Sequence, residues 1–336
     1  MSQLAVNSVT DANGGNTATI NGATPTVYNT MGRNYIINGG FDIWQRGTSV
    51  APVNSWGPDR FFNTNTAMTW TRATNTLGGP CPYMCTLTGG DSDSRFRFTF
   101  ELPSSTSQPP FDVDSYWTLS MYCSLNLAGR TMSIGYANSP NDSTDNASTT
   151  GTWVSLGGNR YALTVQINAV NTNNRLAMRF SGPFDGPVAE GVGSISVTGV
   201  QFEAGSVATP FERLDYGRQL IQCQRYYARI TSGTGASTVK TAFGVGLAVA
   251  TNSANLLVLA PVTMRAFPTF NYSSVDFTDS TNYDAAVSAI TEATYSNNGV
   301  RIKVTTANTM TQYRPGSLVA NYASASAGYV EFSAEL

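Results

Sequence analysis

The sequence predicts an all-β protein: a β-sandwich over residues 34–208, a connector helix over 209–228 and a second C-terminal β-sandwich over 229–336, preceded by an N-terminal segment, 1–33. Three observations carry this. Apolar residues recur at every second position in short runs, turn residues separate those runs, and a single segment combines helical spacing with a helix-start signal.

Residues 1–33 are rich in Asn, Gly and Thr, with turn pairs Asn13-Gly14 and Asn21-Gly22 and short apolar runs such as Leu4-Ala5-Val6. Such a segment buries little surface alone, so it is expected to order against another chain and to serve as the attachment end. From Asn34 the period is two. Phe96, Phe98, Phe100 and Leu102 alternate with Arg97, Thr99 and Glu101, and Tyr161, Leu163, Val165, Ile167 and Leu176, Met178, Phe180 repeat the pattern. In Ser194–Glu203 the apolar phase slips at Gly199, which predicts a β-bulge that keeps both halves facing one core. The polar stretch 138–151 belongs on the surface.

Thr209-Pro210-Phe211-Glu212 has the form of a capping box and predicts a helix running to about Tyr226 through Leu214, Leu220, Ile221 and Cys223. Beyond it, Asn298-Gly299 predicts a two-residue hairpin, and Val330, Phe332 and Leu336 predict a final strand.

Composition narrows the function classes. Only 12 % of the 336 residues are charged, against roughly 25 % in an ordinary soluble domain, and the net charge is −2. No basic tract drives nucleic-acid binding or docking on anionic lipid. No unbroken apolar run reaches the roughly 18 residues of a membrane helix, so no membrane insertion is expected. The first residues carry neither the basic nor the apolar part of a secretory signal, so synthesis in a cytosol is expected. Histidine is absent, which removes the usual general base and the commonest zinc ligand. Cys81, Cys85, Cys123 and Cys223 are expected as free buried thiols.

Two motifs are more specific. Asn34-Tyr-Ile-Ile-Asn38-Gly39-Gly40-Phe41-Asp42-Ile43-Trp44-Gln45-Arg46-Gly47-Thr48, followed by Asp59-Arg60-Phe61, resembles the opening of a domain of bacteriophage tail fibre and other virion proteins. Gln201-Phe202-Glu203-Ala204-Gly205 and Cys223-Gln224-Arg225-Tyr226-Tyr227 are similar to the close of that domain. Val6-Asn7-Ser8-Val9 and the stretch 18–25 look like the starts of such proteins in aquatic phages, and Pro261–Thr269 looks like a strand of their C-terminal domain. The resemblance covers about residues 1–230. It implies a jelly-roll sandwich similar to carbohydrate-binding modules, a homotrimer, other tail or capsid proteins as partners, and a place in the virion. Read physically, the first motif is a strand (Tyr35, Ile37), a Gly39-Gly40 bend and an aromatic cap, with Arg46 and Arg60 able to pair with Asp42 and Asp59.

Candidate carboxylates are Asp91/Asp93, Asp112/Asp114, Glu101 and Glu203. The Asp pairs follow Gly89-Gly90 and Pro109-Pro110, turn contexts in which Asp caps backbone N–H groups, so the chain is expected not to be an enzyme. No cofactor is expected, and calcium, bound by oxygen ligands in such loops, is the one metal left open. Exposed aromatics on a polar, weakly charged surface point to a glycan, with Tyr283, Tyr295 and Tyr313 as the candidate binding residues. The expected function is therefore a trimeric tail fibre or spike attaching to a host surface polysaccharide, three weak sites gaining avidity on one fibre. The alternative is a capsid decoration or tail-adaptor protein with a purely architectural role.

Overall fold

The computed structural model describes residues 33–51, 55–64, 68–90, 95–100, 115–137, 146–166, 176–181, 191–232, 241–279, 285–307, 309–321 and 327–335. Two compact units divide the chain between Gln219 and Leu220. The all-β class is observed, with a single short helix among the described residues.

The first unit holds β1 (Ser49–Val50), β2 (Ser55–Trp56), β3 (Phe61–Thr64), β4 (Met68–Thr74), β5 (Tyr83–Gly89), β6 (Arg95–Phe100), β7 (Tyr116–Cys123), β8 (Thr131–Ala137), β9 (Asn146–Gly157), β10 (Arg160–Gln166), β11 (Leu176–Ser181) and β12 (Ile195–Ala204). One layer runs β1-β4-β5-β12-β7-β10 and the other β8-β11-β6-β3-β2, with neighbouring strands antiparallel. The twelve-residue β9 joins them. Its first half pairs with β8 and its second with β10, so it passes from one layer to the other as a jelly roll requires.

Trp70, Trp117 and Trp153 are buried between the layers; Trp117 stacks on Phe202 at 5.1 Å and meets Tyr35 edge-on at 5.0 Å. The bulge expected at Gly199 is present: the β12–β7 register shifts between Thr198 and Gln201, and Gly199 has φ +58° beside the Tyr122 ring.

Both faces of β12 are buried up to Glu203, although alternation alone predicts a half-buried strand. Its polar face is covered because its side chains are paired. Ser196 bonds Thr86 Oγ1 at 2.9 Å, Thr198 Oγ1 donates to Tyr83 O at 2.6 Å, and Gln201 and Glu203 bond Thr209.

In the second unit, β14 (Ala242–Ala250), after β13 (Tyr227–Thr231), forms a closed barrel with β15 (Ser253–Leu259), β17 (Val275–Thr278), β18 (Ala285–Ser296), β19 (Gly299–Thr306) and β20 (Pro315–Ala320), in the order β14-β15-β19-β18-β17-β20. The β-domain expected here thus closes on itself, which removes unpaired sheet edges. β13, β16 (Thr269–Ser273) and β21 (Tyr329–Ser333) form a separate sheet with β21 central, so the final strand is paired on both sides. The hairpin turn at Asn297-Asn298 joins β18 to β19.

Three local expectations are corrected. The helix α1 occupies only Tyr216–Gln224, and its cap is Asp215, whose Oδ1 accepts the Arg218 amide at 3.0 Å. Thr209 and Glu212 lie outside it because their partners are tertiary. Residues 35–37 form no strand; a turn leads through Asn38 and Phe41, both with positive φ. Pro261–Pro268 is a loop that enters β16 only at Thr269, and it buries Met264 while leaving Phe267 exposed.

Candidate functional site

The opening and closing motifs of the first unit meet. Tyr35 N donates to Phe202 O at 3.0 Å and Val200 N to Gly39 O at 2.9 Å, while Asn34 Nδ2 donates to Val200 O at 3.1 Å and its Oδ1 accepts Phe202 N at 3.1 Å. A Cβ on Gly39 would lie 2.0 Å from Val200 O, so only glycine permits this approach. Glu203 accepts Gln201 Nε2 at 2.8 Å, Thr209 N at 2.9 Å and Thr209 Oγ1 at 2.5 Å. Glu212 N donates to Gln201 Oε1 at 2.7 Å, and Glu212 Oε2 accepts Asn34 N at 2.9 Å. The motifs therefore clasp each other through the buried side chains of Gln201, Glu203 and Thr209 and the half-buried Asn34 and Glu212, and Glu203 serves this clasp.

The neighbouring corner is also structural. Asn38 Nδ2 donates to Ile43 O and Asp59 O, and Asp59 accepts Gln45 N at 2.8 Å and lies 3.8 Å from Arg46. Arg60 is fully buried with its guanidinium 5.6 Å from the Trp56 ring centroid. Asp42 does not join this corner as expected. It faces Arg213, Gln219 and Arg72, and burial raises its carboxyl above the ordinary range against the lowering effect of those groups. Burial likewise pushes the nearby Cys81 thiol up to about 11, and all four cysteines are buried and free, which makes them poor nucleophiles.

Of the three tyrosines expected to bind a glycan, Tyr283 lies outside the described residues, as do Asp91, Asp93, Glu101, Asp112 and Asp114. Tyr295 is 41 % and Tyr313 73 % exposed. They are not brought together. Tyr295 pairs with Val300 beside the β18–β19 turn, whereas the Tyr313 amide donates to Ala248 O near the far end of β14, at the opposite mouth of the barrel. Among the described residues no group of three or more His, Cys, Asp or Glu side chains could hold a metal ion. No helix among them is long and apolar enough to cross a membrane.

A denser array of polar groups stands on the β13-β21-β16 sheet. Its inner face carries Ala228, Ile230, Val330 and Phe332 in the core of the second unit. By alternation its other face presents Tyr227, Arg229 and Thr231 on β13, Tyr329, Glu331 and Ser333 on β21, and Thr269, Asn271 and Ser273 on β16. Glu331 is at the centre. Its Oε2 accepts the Tyr227 hydroxyl at 2.6 Å, its Oε1 accepts Asn271 Nδ2 at 3.1 Å, and Arg229 Nε lies 3.9 Å away. The Arg229 guanidinium sits 3.5 Å from the Tyr329 ring centroid. Glu331 and Arg229 keep about a fifth of their side-chain surface in water, and Asn271, Thr231 and Thr269 are exposed. The result is a platform of oriented donors and acceptors, buried at Tyr227 and exposed at Asn271, with its central carboxylate held from both sides.

Sequence reasoning identifies the apolar phase Val330, Phe332 but not its complement. The signal was present in Tyr329-Val-Glu-Phe-Ser333 and Tyr227-Ala-Arg-Ile-Thr231, whose polar residues occupy alternate positions. Which three strands align is decided by pairing across about 100 residues.

No protein-family model and no curated protein matches the chain. Among solved structures, the chain is similar to the enzymatically active domain of tailspike protein 4 of bacteriophage CBA120, with 16 % identity and a TM-score of 0.31 over 51 % of this chain. The match spans 21 % of that chain. The expectation that the chain is not an enzyme is corrected here, because this solved structure is itself an enzymatically active domain. Chemically, the missing histidine does not exclude catalysis, since glycoside hydrolysis runs on carboxylates. At this TM-score the likeness assigns no activity to the chain.

Proposed function

We propose that the chain is a structural component of a bacteriophage virion, a tail fibre or spike that attaches to a host surface glycan through the β13-β21-β16 platform. The observation that carries the reading is the platform itself. Sugar recognition needs hydrogen-bonding groups held in fixed directions on an open surface, and Tyr227, Asn271 and Arg229 hold Glu331 in that way. The tail assignment is supported by the two motifs of the first unit, whose residues resemble those of tail fibre domains and which form one clasp.

The chain acts as a homotrimer, with residues 1–33 contacting other virion proteins. Support for self-association comes from the outer surface of the barrel, where Val245 and Leu257 lie opposite each other on β14 and β15 and, with Leu247 and Leu259, are exposed. Three platforms on one assembly raise a weak single-site affinity through effective concentration.

The test is adsorption of the purified chain to host cells and isolated envelope polysaccharide, with competition against virus adsorption. Binding that falls in Asn271→Ala and Arg229→Ala supports the reading. Binding that survives both but falls in Tyr295→Ala or Tyr313→Ala moves the contact to the barrel mouths, and absence of any binding favours an architectural role. New reducing ends appearing in the polysaccharide would reveal cleavage in addition to attachment.

A further inference from the structure

We infer that the platform selects a neutral saccharide and engages it through two hydroxyls on adjacent carbons, which donate to Glu331. This rests on the glycan-binding reading above and adds the chemical class of the ligand.

An ionised carboxylate only accepts hydrogen bonds, and its two oxygens together offer about four acceptor positions. Tyr227 occupies one position on Oε2 and Asn271 one on Oε1, each from the side of its own edge strand. Each oxygen keeps acceptor capacity, and a fifth of the Glu331 side chain is in water. Two acceptors on one carbon match two hydroxyl donors on neighbouring ring carbons. Around them stand the hydroxyls of Thr231, Ser273 and Ser333, which donate or accept as a polyol requires, and that of Thr269, which donates to Ser333 O at 3.2 Å and is left to accept.

An acidic saccharide fits poorly. Its carboxylate or sulfate brings acceptors to an acceptor, and the cation facing Glu331, Arg229, is already directed to that carboxylate at 3.9 Å and stacked on Tyr329 at 3.5 Å.

The experiment uses the full chain against immobilised neutral polysaccharides (dextran, mannan, galactan) and acidic ones (polygalacturonate, polysialic acid, dextran sulfate). The expected result is binding to a neutral polymer that weakens about tenfold or more in Glu331→Gln, the size expected for losing one hydrogen bond to a charged group, and that also weakens in Asn271→Ala. Because Asn271 is exposed on an edge strand, its variant keeps the test decisive should Glu331→Gln melt early. Acidic polymers bound in preference, with binding lost in Asn271→Ala, would overturn the neutral class and leave the platform as the site. No binding to either class, or binding indifferent to both substitutions, would overturn the site itself.

Discussion

Replacing Glu203 by alanine tests whether the two motifs of the first unit form a structural clasp. Glu203 is 2 % exposed and accepts three hydrogen bonds, from Gln201 Nε2, Thr209 N and Thr209 Oγ1. Truncation leaves these donors without that acceptor. The Thr209 hydroxyl can rotate, and Gln201 Nε2 keeps Thr209 Oγ1 at 3.2 Å and Pro210 O at 3.4 Å, but the Thr209 backbone N–H cannot follow. One orphaned buried donor at about 1–3 kcal/mol and roughly 1 kcal/mol for the weakened Gln201 bond give a loss of about 3 kcal/mol. Relief from desolvating a buried carboxylate offsets part of it, leaving about 2 kcal/mol, beyond the ~1 kcal/mol typical of a substitution. All five tryptophans, Trp44, Trp56, Trp70, Trp117 and Trp153, belong to the first unit, so their fluorescence during urea unfolding reports on that unit without interference from the barrel. Hydrogen exchange at the Thr209 and Asn34 amides, both held by the same network, should accelerate. A change below 1 kcal/mol at unchanged denaturant slope would refute the reasoning, because it would mean that the three bonds are replaced without cost.

Asp42 gives a pH dependence of defined sign. Burial raises its folded pKa above the ordinary 3.8, so the folded state binds a proton that the unfolded state releases, and stability rises as pH falls through the folded value toward 3.8. Asp42→Asn should remove that rise and be at least as stable as the parent at neutral pH; a variant less stable at pH 7 than at pH 4 relative to the parent contradicts it. Gly39→Ala should destabilise the first unit by about 1–3 kcal/mol, toward the upper end because the obstructing atom, Val200 O, is backbone, again read by tryptophan fluorescence. Leu257→Asp should shift the proposed homotrimer toward monomer in light scattering without lowering the melting temperature of the monomer, since the side chain is 47 % exposed; an unchanged mass would remove that face from the proposed interface.

The class of fold and several of its elements were legible in the residues themselves. Alternation at Tyr161–Val165 and Ile195–Val197 and the phase slip at Gly199 are local effects, set by side-chain period and by glycine's access to positive φ, and each appears where the sequence puts it, while the hairpin expected at Asn298-Gly299 turns one residue earlier, at Asn297-Asn298, with Gly299 already in the strand. Thr209-Pro-Phe-Glu212 satisfies every local rule for a helix start and is not one. Glu203, Gln201 and Asn34 compete for the same donors and acceptors from across the sandwich, and the buried tertiary bonds prevail over an exposed cap.

The candidate site divides in the same way. Composition alone determined a weakly charged, polar surface suited to directional hydrogen bonding, and alternation alone determined that Arg229 and Glu331 share a phase distinct from Ile230 and Val330. Only the tertiary structure decided that residues 227–231, 269–273 and 329–333 lie side by side, and that Tyr295 and Tyr313 stand at opposite mouths of the barrel. The reason is that strand partners are chosen by burying one shared apolar face across long loops, a collective free energy that no short stretch of sequence contains.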